Sequence, residues 1–237
     1  MKKTYHPAAS RGHADHGWLQ AKHSFSFANF LDRERMQFGA LRVLNDDVVA
    51  PKKGFGMHPH DNMEIITIPL EGALEHKDSM GNVGVINTNE IQVMSAGTGV
   101  YHSEYNPSND TPTQLLQLWI FPNKQGVTPR YDQQSIGDLK VSNSLYPIVS
   151  PNPKDRGMWI HQDAWLSLGD FDCTTELTYT IHKEGNGVYA FLISGNASIA
   201  TQELNSRDAL GIWETDTFEI TVKANSKLLL IEVPINI

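Results

Sequence analysis

Two short segments of this chain, His58-Pro59-His60 and His102-Ser103-Glu104, have the residue types and spacing to hold a metal ion. Each sits beside strand-like sequence, and side chains two apart on a β-strand point to the same face. Each pair can therefore aim two ligand atoms into one cavity, where three imidazoles and a carboxylate can meet. The donor set narrows the chemistry. A structural zinc site is usually tetrahedral and favours cysteine, whereas imidazole with carboxylate suits iron, manganese, nickel, copper or catalytic zinc, often with positions left for water or substrate. A reactive metal is the expectation.

An isolated His-X-His is weak on its own, because ten histidines in 237 residues produce one by chance fairly often and most histidines are surface or core residues. The surroundings strengthen it. Gly54-Phe55-Gly56-Met57 precedes the first pair, Glu64 follows it, and Leu70-Glu71-Gly72 supplies a turn where a strand would reverse. The second pair follows a glycine-rich turn, Ser95-Ala96-Gly97-Thr98-Gly99, and Asn106 comes after it. These two blocks resemble the paired motifs of cupins, with Gly99, His102 and Asn106 matching the second. Arg11-Gly12-His13-Ala14-Asp15-His16-Gly17-Trp18, His23-Ser24-Phe25-Ser26-Phe27-Ala28, and Glu75-His76-Lys77-Asp78-Ser79-Met80-Gly81-Asn82 narrow the likeness further. Together with the metal motifs they resemble the pirin family over most of residues 5 to 131.

The resemblance implies an all-β bicupin, two tandem jelly-roll-like barrels with one metal in the first. Carried over residue by residue, the implied ligands are His58, His60, His102 and Glu104. Two positions depart from the general cupin pattern. Glu64 occupies the usual first-motif carboxylate position, although in pirins the carboxylate ligand is the one matching Glu104, and Ser95 stands where motif two usually has proline.

The elements that must position these residues read as short strands separated by Gly, Asn, Asp and Pro. Expected strands are 41–44, 64–70, 90–94, 100–104 and 114–121 in the first half. Those of the second are 176–181, 189–193, 209–213, 218–222 and 227–233. Short helical turns are expected near residues 28–34 and in the connector. A polar, turn-forming stretch from Pro122 to Asp138 places the domain boundary near residue 135, giving barrels over 1–135 and 136–237. Gly72 and Gly195 lie in similar strand-turn-strand contexts, which reads as a degenerate duplication. Aligning them puts His182 near the place of the first His-X-His, with no ligand pair following at Ala209 to Trp213. The second barrel is expected to hold no metal.

Other candidates carry less. His6, His13, His16 and His23 form a second concentration of histidine, read as hydrogen-bonding an N-terminal segment onto the barrel. Phe25, Phe27 and Phe30 read as packing residues, and Asp61 and Glu64 as carboxylates near the chemistry, Glu64 as either a partner for a ligand imidazole or a structural charge. The single cysteine, Cys173, excludes an internal disulfide, fits a reducing compartment and reads as a buried inert thiol. A net charge of −8 opposes attraction to phosphate backbones, so direct nucleic-acid binding is not expected. No apolar run approaches a membrane span, and a cytoplasmic protein is expected.

The resemblance implies a metal-dependent dioxygenase that opens the heterocycle of a flavonol such as quercetin, using dioxygen, one divalent transition metal per chain and Glu104 as catalytic base. Iron is the first expectation, with nickel, manganese, copper and zinc as alternatives. The competing reading is a metal- or redox-sensing regulatory protein that binds a protein partner and turns nothing over.

Overall fold

The computed structural model describes residues 1–236, among which are twenty-two strands and two short 3-10 helices, Ala8–Ser10 and Gly137–Leu139. The first eleven strands are β1 (Lys2–His6), β2 (Gly12–Asp15), β3 (Leu19–His23), β4 (Leu41–Val49), β5 (Gly54–His60), β6 (Glu64–Glu71), β7 (Ala73–Asp78), β8 (Val83–Asn87), β9 (Glu90–Ser95), β10 (Val100–Tyr105) and β11 (Thr113–Ile120). The next five are β12 (Arg130–Ser135), β13 (Leu145–Ser150), β14 (Met158–Trp159), β15 (Trp165–Phe171) and β16 (Thr175–Thr180). The last six are β17 (Asn186–Ser194), β18 (Asn196–Ile199), β19 (Gln202–Asn205), β20 (Ala209–Trp213), β21 (Thr217–Val222) and β22 (Ser226–Pro234). No helix among the described residues is long and apolar enough to cross a membrane.

The strands form two cupin-like pairs of sheets. In the first half a seven-stranded sheet, β12-β9-β6-β11-β4-β3-β2, accompanies a four-stranded sheet, β5-β10-β7-β8. In the second half the corresponding orders are β1-β20-β17-β22-β15-β13-β14 and β16-β21-β18-β19. Every strand from β4 to β11 thus has its topological counterpart eleven strands later. Gly72 and Gly195, at φ 76° and 88°, make the equivalent turns after β6 and β17. Only glycine takes that conformation without Cβ strain. The equivalence also relocates the place to look for a second ligand pair: the counterpart of β10 is β21, not the segment Ala209 to Trp213.

β1 pairs into the second half, and β12, which ends at the expected boundary near residue 135, is an edge strand of the first half's sheet. β1 lies antiparallel to β20, Thr4 opposite Gly211, and β12 lies antiparallel to β9, Asp132 opposite Val93. The stretch containing β12 reads in the sequence as a polar linker. Its polarity is that of an edge strand whose Asp132, Gln134 and Ser135 are exposed, which hides a strand from any hydrophobic alternation.

The largest core lies between the two seven-stranded sheets. Phe38, Leu41, Leu44, Ile66 and Leu118 on one side meet Tyr189, Phe191, Leu229 and Ile231 on the other. Period-two alternation then sends the intervening residues into each half's own interior. In the second half that interior is apolar, with Val188, Ala190, Leu192, Phe218, Ile220, Leu228 and Leu230 in one cluster. In the first half it is apolar only in two patches. Leu19, Ala21, Val49, Leu74, Ile86 and Leu115 form one, and Ile65, Met94, Ala96 and Val100 the other. On the strands that join those patches the inward positions are Asn45, Asp47, Thr67, Gln92 and Gln117, all buried. A buried polar belt is costly unless something uses it.

Three local expectations give way. Residues 28–34 contain turns and a Phe27–Phe30 bridge instead of a helical turn. The strand expected at 41–44 runs on to Val49, carrying Asn45 and Asp47 inside. Cys173 is exposed, because its segment is a turn before β16, where Asn143 Oδ1 accepts from the backbone N–H groups of Asp172 and Cys173 at 2.9 and 3.2 Å.

Candidate metal centre

The four-stranded sheet of the first half brings the candidate ligands together. β10 runs between β5 and β7, with His102 opposite His58 on one side and Glu104 opposite His76 on the other. A register shift between His102 and Glu104 breaks the ladder to β5. The strands approach so closely that a Cβ at Gly54 would collide with the Glu104 carbonyl oxygen, which explains a glycine inside this strand.

His58, His60 and His102 offer ligand nitrogens within 4.8 Å of one another. Their ring centroids are 4.9 Å apart for His58 and His60, 4.4 Å for His58 and His102, and 4.9 Å for His60 and His102. His58 Nδ1 lies 2.8 Å from the Gly56 carbonyl, which can only accept, so Nδ1 carries the proton and Nε2 is left with its lone pair. His102 is 1% exposed and neither ring nitrogen has a hydrogen-bond partner. Two orphaned nitrogens in a buried ring are expensive, and a bound cation would satisfy the one that carries the lone pair.

Glu104 is equally buried and accepts two hydrogen bonds from Gln117 Nε2, at 3.1 Å to Oε1 and 2.8 Å to Oε2. Its carboxylate groups with His102 and with His76, a residue to which the sequence motifs assign no role. Burial, with His58 adding repulsion, lowers His60 to about 4, and burial with His58, His60 and His76 lowers His102 to about 2. Both imidazoles are therefore neutral and available as ligands at neutral pH. Burial raises the Glu104 carboxyl above its usual range, against the opposing hydrogen bond from Gln117.

A cavity of ≈ 440 Å³ opens onto His58 and Glu104. Trp18, Phe27, Phe55 and Trp119 give it aromatic walls, and His23, Asn45, Asp47 and Gln117 give it polar groups. His23 Nδ1 is 2.9 Å from Asn45 Oδ1. Asp47 is buried, with Oδ1 unpartnered, and burial, helped by Asp46 and Glu104, pushes it up to about 8. A second hollow of ≈ 290 Å³, lined by His16, Ala28 and several of the same aromatics, adjoins the first.

The remaining candidates disperse. His6 bonds Tyr189 OH at 2.9 Å, tying β1 to the second half, whereas His23 turns into the cavity. Phe25 packs against Tyr189 in the core, Phe27 lines the cavity, and Phe30 covers Gly12. Glu64 accepts from Ser95 Oγ at 2.7 Å, so the hydrogen bond it makes is structural. Asp61 is exposed, with Asn62 Nδ2 as its neighbour at 3.3 Å. In the second half, His182 Nδ1 lies 2.8 Å from the buried Glu232, which also accepts from Tyr179 and Asn186. Phe218 and Ile220 occupy the inward face of β21, the counterpart of β10. Of the residues missed in sequence, Asn45, Asp47 and Gln117 share one signal, a polar residue at a buried inward position among apolar neighbours, whereas His76 sits on the polar strand β7.

The chain is similar to known proteins along its whole length. Residues 5–120 match the family described as Pirin, and residues 147–233 match the quercetinase C-terminal cupin domain. A quercetin 2,3-dioxygenase of Escherichia coli K12 is 42% identical over 231 residues, covering 96% of each chain, and a pirin-like protein of Caulobacter vibrioides is 37% identical over 227 residues, covering 95% of this chain and 97% of that one. The crystal structure of YhhW from Escherichia coli superposes with a TM-score of 0.94 at 39% identity over the whole of both chains. The same protein in complex with nickel(II) gives 0.92, covering 98% of this chain and 99% of that one. With its two cupin domains and the histidine cluster inside the first, this chain belongs to the pirin family.

Proposed function

We propose that the protein is a metal-dependent dioxygenase that opens the heterocycle of a flavonol, with His58, His60, His102 and Glu104 as the metal ligands. The observation that carries the reading is His102, a buried ring with both nitrogens unpartnered at the meeting point of two further imidazoles and a carboxylate. The names of the relatives support the activity, and the nickel complex of YhhW supports a divalent ion. Iron remains our first assignment and nickel, manganese, copper and zinc the alternatives, because imidazole and carboxylate accept all of them.

A divalent ion held there would supply Lewis acidity to a phenolic hydroxyl and a meeting place for substrate and dioxygen. The chain's own residues do the rest. Trp18, Phe27, Phe55 and Trp119 form the apolar slot that a flat polyphenol needs, and they exclude water from the reacting ring. Asn45, Asp47 and His23 line the same cavity and offer hydrogen-bond partners to ring hydroxyls. Glu104 accepts the proton of the flavonol 3-hydroxyl, its basicity enhanced by burial and its orientation fixed by Gln117. Both atoms of dioxygen enter the opened product, and one ring carbon leaves as carbon monoxide.

The test is oxygen consumption with a flavonol by protein reconstituted with each metal in turn, with His102→Ala as control. The second reading, a regulatory protein with a protein partner, has one observation in its favour. Met57, Tyr101, Val83 and Val85 are exposed on the four-stranded sheet that carries the ligands. A metal-dependent complex without turnover would favour it. The lone cysteine supports a reducing, cytoplasmic setting.

A further inference from the structure

His76 has the surroundings of a metal ligand. It is fully buried on β7, its ring stacks on Tyr131 at a centroid distance of 4.5 Å, and its Nε2 lies 3.2 Å from Asp78 Oδ2. Asp78 is itself fixed by the backbone N–H groups of Met80 and Asn82 and by the Asn82 amide. A carboxylate oxygen at this distance accepts from the ring. The Nε2 of His76 therefore carries the proton. Its Nδ1 is buried and has no hydrogen-bond partner.

A ring nitrogen donating to a carboxylate while the other nitrogen stays bare is the arrangement by which proteins orient an imidazole toward a metal. His76, His102 and Glu104 offer ligand atoms within 4.8 Å of one another, all three residues buried. We infer that these three residues form a second, inner coordination position for a divalent transition ion, adjacent to and sharing His102 and Glu104 with the outer position of His58, His60, His102 and Glu104. The inference rests on the reading of the histidine cluster as a metal centre. It adds a donor, His76, and a second place for the ion to sit. A neutral imidazole has one lone pair, so sharing His102 makes the two positions mutually exclusive and keeps the stoichiometry at one ion per chain.

The purely structural role for His76 is to anchor the turn after β7 through Asp78 and to pack on Tyr131. Cobalt(II) binding to metal-free full-length protein separates the two, read by calorimetry and by the visible absorption of the bound ion. The inner position predicts that His58→Ala/His60→Ala still binds one cobalt(II), weakened by roughly 10–100-fold as for loss of supporting groups at a metal site. Adding His76→Ala to that variant should abolish the remaining binding and its absorption. Adding Asp78→Asn instead, which preserves size, should weaken it by roughly tenfold and decides the matter if the His76→Ala combination fails to fold. Binding that both additions leave unchanged overturns the inner position, as does a folded His58→Ala/His60→Ala protein that binds no cobalt while the wild type binds one. A wild-type protein that binds no cobalt, nickel, zinc or iron overturns the metal centre itself.

Discussion

Gln117 reaches both carboxylate oxygens of Glu104 with one amide nitrogen, at 3.1 and 2.8 Å, from the opposite sheet of the first half. It is the hydrogen-bond partner that offsets the burial of that carboxylate. Replacing it by leucine leaves the buried anion without this donor, raises the Glu104 carboxyl further and lets protons compete better with metal. Gln117→Leu should lower metal affinity at neutral pH by roughly 10–100-fold and move the half-binding pH upward in a titration. An unchanged midpoint would remove Gln117 from the centre.

Proton competition should be uneven among the ligands. His60, at about 4, and His102, at about 2, are already neutral at neutral pH, while burial raises Glu104 above the usual carboxylate range. Metal binding should therefore weaken as pH falls through the Glu104 range, with protons on His60 and His102 entering only near pH 4 and below. Calorimetry in buffers of different ionisation enthalpy counts the protons released.

Asp47 sets a second pH dependence, in the stability of the metal-free protein. Its folded value of about 8 lies above its ordinary value of 3.8. Between those limits the native state binds more protons than the unfolded chain, so this residue's contribution to stability falls as pH rises across the window. Asp47→Asn should be more stable than wild type at pH 8, and the advantage should shrink toward pH 4. Urea midpoints at several pH values measure the difference.

His182 belongs to the structure of the second half. His182→Ala should leave the metal content at one ion per chain by elemental analysis and cost about 1 kcal/mol of stability through the lost side-chain bond to Glu232. A metal content that falls in this variant would place an ion in the second barrel.

The convergence of the two candidate pairs was legible because strand geometry converts a spacing of two into a shared face, and the turn glycines at 72 and 195 were legible because their conformation demands glycine. β12 was not legible. As an edge strand its outward residues face water, and its pairing with β9 is non-local. The polar belt was overlooked for a related reason: Asn45, Asp47 and Gln117 interrupt apolar strands, and only the sheet order reveals that they point at Glu104 and the cavity. His76 lay within a recognised motif, but its partner Asp78 and its place opposite Glu104 depend on the register of β7 with β10.

The central claim is that Glu104 serves a metal-bound flavonol as base, and Glu104→Gln tests it most directly when metal occupancy and oxygen uptake are measured on the same sample. Glutamine keeps the shape and one oxygen donor but removes the anion. Metal should be retained, though more weakly held, with flavonol-dependent oxygen uptake lowered by on the order of a hundredfold or more. A fully metallated Glu104→Gln protein that consumes oxygen with the flavonol at the wild-type rate would contradict it.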